Sequence, residues 1–257
     1  MKRIVLVALA VVLSVAAVGL AGGYRQELPA NQQIHLGDDK STGPTRSYEP
    51  TVPLGGAKEL DATVHMGAGE LVLEAGGADA LDATFEYRPD SLKPMVSYEI
   101  AGTGVPVGRL IVQQPEFQPN MLGSGKNSWT VRLAKDVPLT LDVELGAGTS
   151  DLSFGGLDLR TLTMSMGAGD STLDFSGEWN HDVSARIQAG VGQLTLRLPE
   201  AVGVRVVQRG GIGAFTADDG FTSQDDAFVN RAYGETTSTV EISVQRGIGE
   251  VTLETVQ

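Results

Sequence analysis

Six times along this chain a run of alternating apolar and polar residues meets a Gly-x-Gly triplet and then resumes alternating, as in TVHMGAGELVLEA, TLDVELGAGTSDLSF and TLTMSMGAGDSTLDF. The pairs are Gly67 and Gly69, Gly146 and Gly148, Gly167 and Gly169, Gly190 and Gly192, Gly211 and Gly213, and Gly247 and Gly249. Period-two alternation marks a half-buried strand, and glycine at a fixed place in every unit marks a turn that side chains do not tolerate. The first glycines stand at 67, 146, 167, 190, 211 and 247, so successive gaps are 79, 21, 23, 21 and 36. A recurring gap of 21 to 23 residues predicts an all-β, single-chain β-solenoid with Gly-x-Gly corners and two or three short strands per coil. A side chain at a corner shared by stacked coils would strike its neighbour or demand a positive φ, and glycine avoids both. The residue between the glycines is Ala, Val or Ile, which reads as pointing inward.

The two long gaps read as units carrying insertions, one within residues 76–126 and one over residues 221–237. Four segments follow. Residues 1–23 are a signal peptide or N-terminal membrane anchor, and 24–53 a polar, extended lead-in. Residues 54–135 form the first part of the solenoid with its insertion, and 136–257 the repetitive part. Lys2 and Arg3 precede an apolar run from Ile4 to Val18 that ends in Gly19-Leu20-Ala21-Gly22-Gly23, the layout of an export signal. The run is also nearly long enough to stay in the membrane, so cleavage and retention both stand. Leu20-Ala21-Gly22 resembles the start of a lipobox, but Gly23 occupies the place of the lipid-bearing cysteine.

Composition removes several functions. The 257 residues carry a net charge of −13 and no cysteine, which excludes disulfides, thiolate metal sites and cysteine nucleophiles and disfavours nucleic acid as a partner. None of the glycine pairs has the third glycine of a dinucleotide fingerprint, nor the lysine of a phosphate loop. Glu70, Asp170 and Glu250 follow the second glycine, but Gln193 and Ala214 hold that place in other units, so a calcium ladder would be interrupted. Asp218, Asp219, Asp225 and Asp226 read as a solvated acidic loop, and His35, His65 and His181 show no metal-ligand spacing. Trp129 and Trp179 read as packing residues at coil edges. Catalytic, cofactor and metal residues are accordingly predicted as none, with the twelve glycines as structural turn positions.

These repeats, together with SYEPTVPLGGAKELDATVHMGAGELVLEAG, LPEAVGVRV and the closing VEISVQRGIGEVTLE, resemble the bacterial toast-rack family. Its relatives include putative adhesin domains and the C-terminal domain of LiaF-type cell-envelope stress proteins. The resemblance implies a stacked β-solenoid on the outer side of the cytoplasmic membrane, without mapped catalytic residues. The expected function is an exported, envelope-associated, non-enzymatic module for interaction, adhesion or envelope-stress sensing. The competing readings are a secreted carbohydrate-active β-helix enzyme and a calcium-stabilised solenoid. Expected partners are an envelope protein or surface polymer, the membrane if the leader is retained, and a second copy of the chain in a homo-oligomer.

Overall fold

The structure, a computed structural model, describes residues 43–115 and 125–257. The leader, most of the lead-in and His35 lie outside the described residues. Fifteen strands occur among the described residues. The first seven are β1 (Arg46–Tyr48), β2 (Thr51–Pro53), β3 (Glu59–Ala75), β4 (Asp79–Arg88), β5 (Met95–Ala101), β6 (Val107–Gln113) and β7 (Lys126–Leu133). They are followed by β8 (Pro138–Ser153), β9 (Asp158–Asp174), β10 (Val183–Pro199), β11 (Gly203–Arg209), β12 (Phe215–Ala217), β13 (Phe221–Gln224), β14 (Ala227–Asn230) and β15 (Thr239–Val256).

Each repeat is one long strand folded over at its glycine pair. Stretched out, the 16 residues of β8 would span about 50 Å. The connection 154–157 reaches about 18 Å at most, yet β9 starts beside Pro138 and pairs with β8 in parallel register along its length. The strand must therefore double back. The burial pattern shows where: Leu139, Leu141, Val143 and Leu145 are buried, then Ser150, Leu152 and Phe154, so the buried set passes from odd to even numbers across Gly146-Ala147-Gly148. Each coil thus has a first arm, a glycine arc and a second arm, with the core between the arms. This differs from the expected two or three separate strands per coil, because the arc costs the chain only three residues.

Register is strict. Gly69, Gly148, Gly169, Gly192 and Gly249 stack in one line through β3, β8, β9, β10 and β15. The core is filled by aliphatic rows and by Phe85, Trp129, Phe154 and Phe175, each wholly buried, at about 1.5 to 3 kcal/mol of transfer free energy per large side chain. Both tryptophans pack inside and have their indole N–H satisfied: Trp129 Nε1 donates to Asn127 Oδ1 (2.7 Å) and Trp179 Nε1 to the Phe175 carbonyl (2.8 Å).

Spatial order departs from chain order at both ends. Among its described residues the insertion at 76–126 contributes strands: β6 extends the first arms beyond β3, β7 extends the second arms, and β4 and β5 flank them as antiparallel strands. At the other end β11 and β12 form the outermost coil, and the later strand β15 lies between them and β10. The insertion at 221–237 contributes the β13–β14 hairpin, which pairs antiparallel with β11.

Candidate interaction faces

The arcs come first because they set the register of everything outside them. A Cβ on Gly148, Gly169, Gly192 or Gly249 would lie 1.8 Å from the carbonyl oxygen of the glycine stacked beside it, and on Gly213 1.9 Å. The φ angles of Gly69, Gly148, Gly169, Gly192, Gly213 and Gly249 run from +128° to +153°, which L side chains rarely adopt. Among the first glycines, Gly146, Gly167, Gly190 and Gly247 would place a Cβ 2.0 to 2.3 Å from a stacked carbonyl oxygen. Gly67 meets only the Gln114 side chain at 3.4 Å, and Gly211 meets Arg246 Cβ at 2.5 Å.

Between the glycines the structure corrects the inward reading. Val191, Ile248 and Ile212 are 44%, 56% and 73% exposed, and Ala68 and Ala147 are exposed as well. The inward positions beside each arc are taken by residues such as Leu145 and Ser150, which leaves the middle residue on the convex side of the bend. A thin apolar ridge results, one residue per coil.

On the β6–β7 side of the first arc, side chains make the hydrogen bonds. Gln114 Oε1 accepts from Gly67 N (3.0 Å) and Ala68 N (3.3 Å), and Asn127 Nδ2 donates to the Ala68 carbonyl (2.6 Å) and to Gln114 Oε1 (2.9 Å). Nothing in the repeat pattern marks these two residues.

The second arms present a flat outer face. Its middle row runs Thr130, Val72, Asp151, Thr172, Thr195, Thr252 and Thr216, so four threonines stand on consecutive coils at about 4.8 Å. The row nearest the arcs runs Glu70, Thr149, Asp170, Gln193 and Glu250. Its carboxylates fall on alternate coils, about 10 Å apart, whereas calcium needs oxygens at about 2.3 to 2.6 Å. No group of three or more His, Asp or Glu among the described residues is placed to hold a metal ion. A shallow groove of about 380 Å³ lies here, bordered by Glu70, Asp151, Asp170, Thr172 and Thr195. Asp170 is more than a solvated corner: its Oδ1 accepts from Gln193 N in the next coil (3.1 Å).

The acids of the 211-to-247 interval do not converge either. Burial alone would raise the Asp218 carboxyl, but hydrogen bonds from Thr255 N (2.5 Å), Thr255 Oγ1 (2.8 Å) and Gly220 N (3.0 Å) outweigh it and hold the pKa below the usual carboxylate value. Asp218 is an exposed loop acid that also fastens the end of β15. Asp226 pairs with Arg205 at 3.1 Å. His65 sits on the first-arm face near Asp142 (3.5 Å), and His181 contacts Asp158 (2.6 Å) beside Trp179.

A stack of in-register strands, each bent once at a glycine arc, defines the class: an all-β solenoid with flat outer faces. The chain belongs to the toast-rack family, since the family model described as the N-terminal domain of toast_rack (DUF2154) matches residues 41–197. A solved structure of a putative cell adhesion protein from Clostridium sporogenes ATCC 15579 is similar, with 25% identity and a TM-score of 0.78 over 83% of this chain and 100% of its own. A putative adhesin from Bacteroides fragilis NCTC 9343 is matched at 14% identity and a TM-score of 0.31 over 84% of this chain and 100% of its own. No curated protein matches the chain.

Proposed function

We propose that the chain is an exported, non-enzymatic adhesion module, displayed outside the cytoplasmic membrane, that lays the outer face of its second arms against a hydroxyl-rich surface polymer. The observation that carries this reading is the row Thr172, Thr195, Thr252 and Thr216, four hydroxyls on consecutive coils beside a row of spaced carboxylates. Hydroxyls and carboxylates on a rigid, repeating lattice suit an extended polymer that offers donors at regular intervals, each contact being weak and the set additive. The similar Clostridium protein, whose name assigns it to cell adhesion, supports the same role. Residues 1–23 supply the export in this reading.

The test is co-sedimentation of the full chain with insoluble cell-wall and exopolysaccharide fractions, beside a Thr172→Lys, Thr195→Lys variant. Retention of the wild type with at least about a tenfold loss in the variant, at an unchanged melting temperature, is the expected result. Equal retention of both proteins, or no retention on any polymer, refutes it.

A further inference from the structure

The outer face of the first arms differs from the rest of the molecule in charge. Over its three central rows, β6, β3 and β8 contribute Arg109, Asp61, Asp142 and Glu144, while β10, β15 and β11 contribute Arg186, Glu241, Arg205 and Arg209. Four carboxylates thus meet four arginines on a chain of net charge −13. Acid predominates at one end and base at the other. The coil between them, β9, offers only Thr161, Thr163 and Ser165.

The central row is self-complementary. It reads Ile111, Thr63, Asp142, Thr163, Arg186, Ser243, Val207 across seven paired strands. A two-fold axis along the strand direction over Thr163 would set Asp142 against the partner's Arg186 and Thr63 against the partner's Ser243, with Ile111 over the partner's Val207, which is itself buried. In the next row the same axis opposes Asp61 to the partner's Glu241 and Arg109 to the partner's Arg205. Arg109 and Arg205 are already paired with Glu99 (3.7 Å) and Asp226 (3.1 Å) in their own chain, so that row opposes like charges and the attraction lies in the central row. Arg186 is exposed and has no ion-pair partner among the described residues, and Asp142 has the His65 imidazole at 3.5 Å and no arginine or lysine paired with it among the described residues.

We infer that this face pairs with the same face of a second copy, acidic end over basic end, about an axis at β9. Two chains of net charge −13 repel over most of their surfaces, and the outer face of the second arms is acidic, with Glu70, Glu74, Asp151, Asp170, Asp174, Glu250 and Glu254 against Arg132 and Arg197. The polarised face, acidic at one end and basic at the other, is where approach is favoured. Seven strands at about 4.8 Å and arms of about 23 Å give roughly 670 Å² per copy, or about 1,300 Å² in total, within the range of specific interfaces. The pairing leaves the second-arm face free and does not depend on the polymer reading.

Sedimentation equilibrium of the full chain in mild detergent tests it. At about 50 mM salt the wild type forms a dimer that dissociates toward monomer at about 500 mM. Arg186→Asp and Asp142→Arg each weaken the dimer by at least about tenfold, and the double variant, which restores opposite charges across the axis, returns within a few-fold of wild type. Melting temperatures confirm that all three variants fold, and Arg186→Ala replaces any that does not. A wild type that stays monomeric up to about 100 µM at low salt, single variants that associate like wild type, or a double variant no better than the singles each overturns the proposal.

Discussion

Gly169→Ala is the sharpest test of the arc. Gly169 holds φ at +132°, and a Cβ there would stand 1.8 Å from the Gly148 carbonyl oxygen. Holding alanine at that φ costs about 1 to 3 kcal/mol. Relieving the clash means opening the stack by roughly 1.5 Å at the arc, where coils lie about 4.8 Å apart. Two or three flanking ladder hydrogen bonds then fall out of range, at about 1 kcal/mol each. The sum is about 3 to 6 kcal/mol, or a fall in melting temperature of roughly 6 to 24 °C at 2 to 4 °C per kcal/mol for a domain of this size. Scanning calorimetry measures it against three controls that separate the contributions. Gly67 has no positive φ and meets only the flexible Gln114 side chain at 3.4 Å, so Gly67→Ala costs less than about 1 kcal/mol. Gly177 has φ +108° but its nearest neighbour lies at 3.7 Å, so alanine there carries the torsional cost alone, about 1 to 3 kcal/mol. Gly167 has no positive φ but a carbonyl oxygen at 2.3 Å, so alanine there carries the clash alone, about 2 to 3 kcal/mol. A Gly169→Ala protein within 1 kcal/mol of wild type, or a Gly67→Ala protein as damaged as Gly169→Ala, refutes the account of the arc as a backbone-on-backbone contact.

The other predictions concern the stack's ends and outside. Asn127→Ala removes the acceptor of the buried Trp129 indole N–H and the donor to the Ala68 carbonyl; chemical denaturation should show a loss of about 2 to 3 kcal/mol. Asp218 has a folded pKa below its unfolded value, so its contribution is present above about pH 4 and is lost as pH falls through the lower folded value. The melting temperature of Asp218→Asn should therefore be lower than wild type at neutral pH, with the difference closing below about pH 4; a gap that widens on acidification contradicts it. Ile212 and Ile248 are exposed at the arc ridge, and replacing both with serine should change stability by less than about 0.5 kcal/mol, measured by denaturant titration.

Much of this was legible in the sequence because two local rules agree along the whole repeat. Alternation announces the arms, and the glycine pairs announce the bend between them. The middle residue was misread for a definite reason. Counting by twos from Leu145 puts Ala147 on the inner side of a straight strand, and only the bend itself turns it outward. The clue lay in the phase: in TLDVELGAGTSDLSF the apolar residues change from odd to even numbers across the triplet, and a phase change over three residues is what a folded-over strand with a shared interior requires. The anchoring role of Asp218 was not legible because its partner Thr255 is 37 residues away, and no local pattern connects them.

The order of coils at the two ends was not legible, because in a parallel stack adjacency is chosen by edges and not by succession along the chain. Any coil with a glycine arc offers the same register to any other, so a row of identical coils would also offer its open edge to the next molecule. This chain ends the repetition with coils that break the rule. The outer coil on β3 fixes the neighbouring arc through the side chains of Gln114 and Asn127. β5 and β4 then run antiparallel against β6 and β7, and β14 against β11. An antiparallel strand at the edge no longer presents the parallel pattern of donors and acceptors that the next glycine coil would need. The two insertions that interrupt the 22-residue rhythm therefore cap both arms at the β6–β7 end and the first arm at the other end, where β12 is paired with β15 alone.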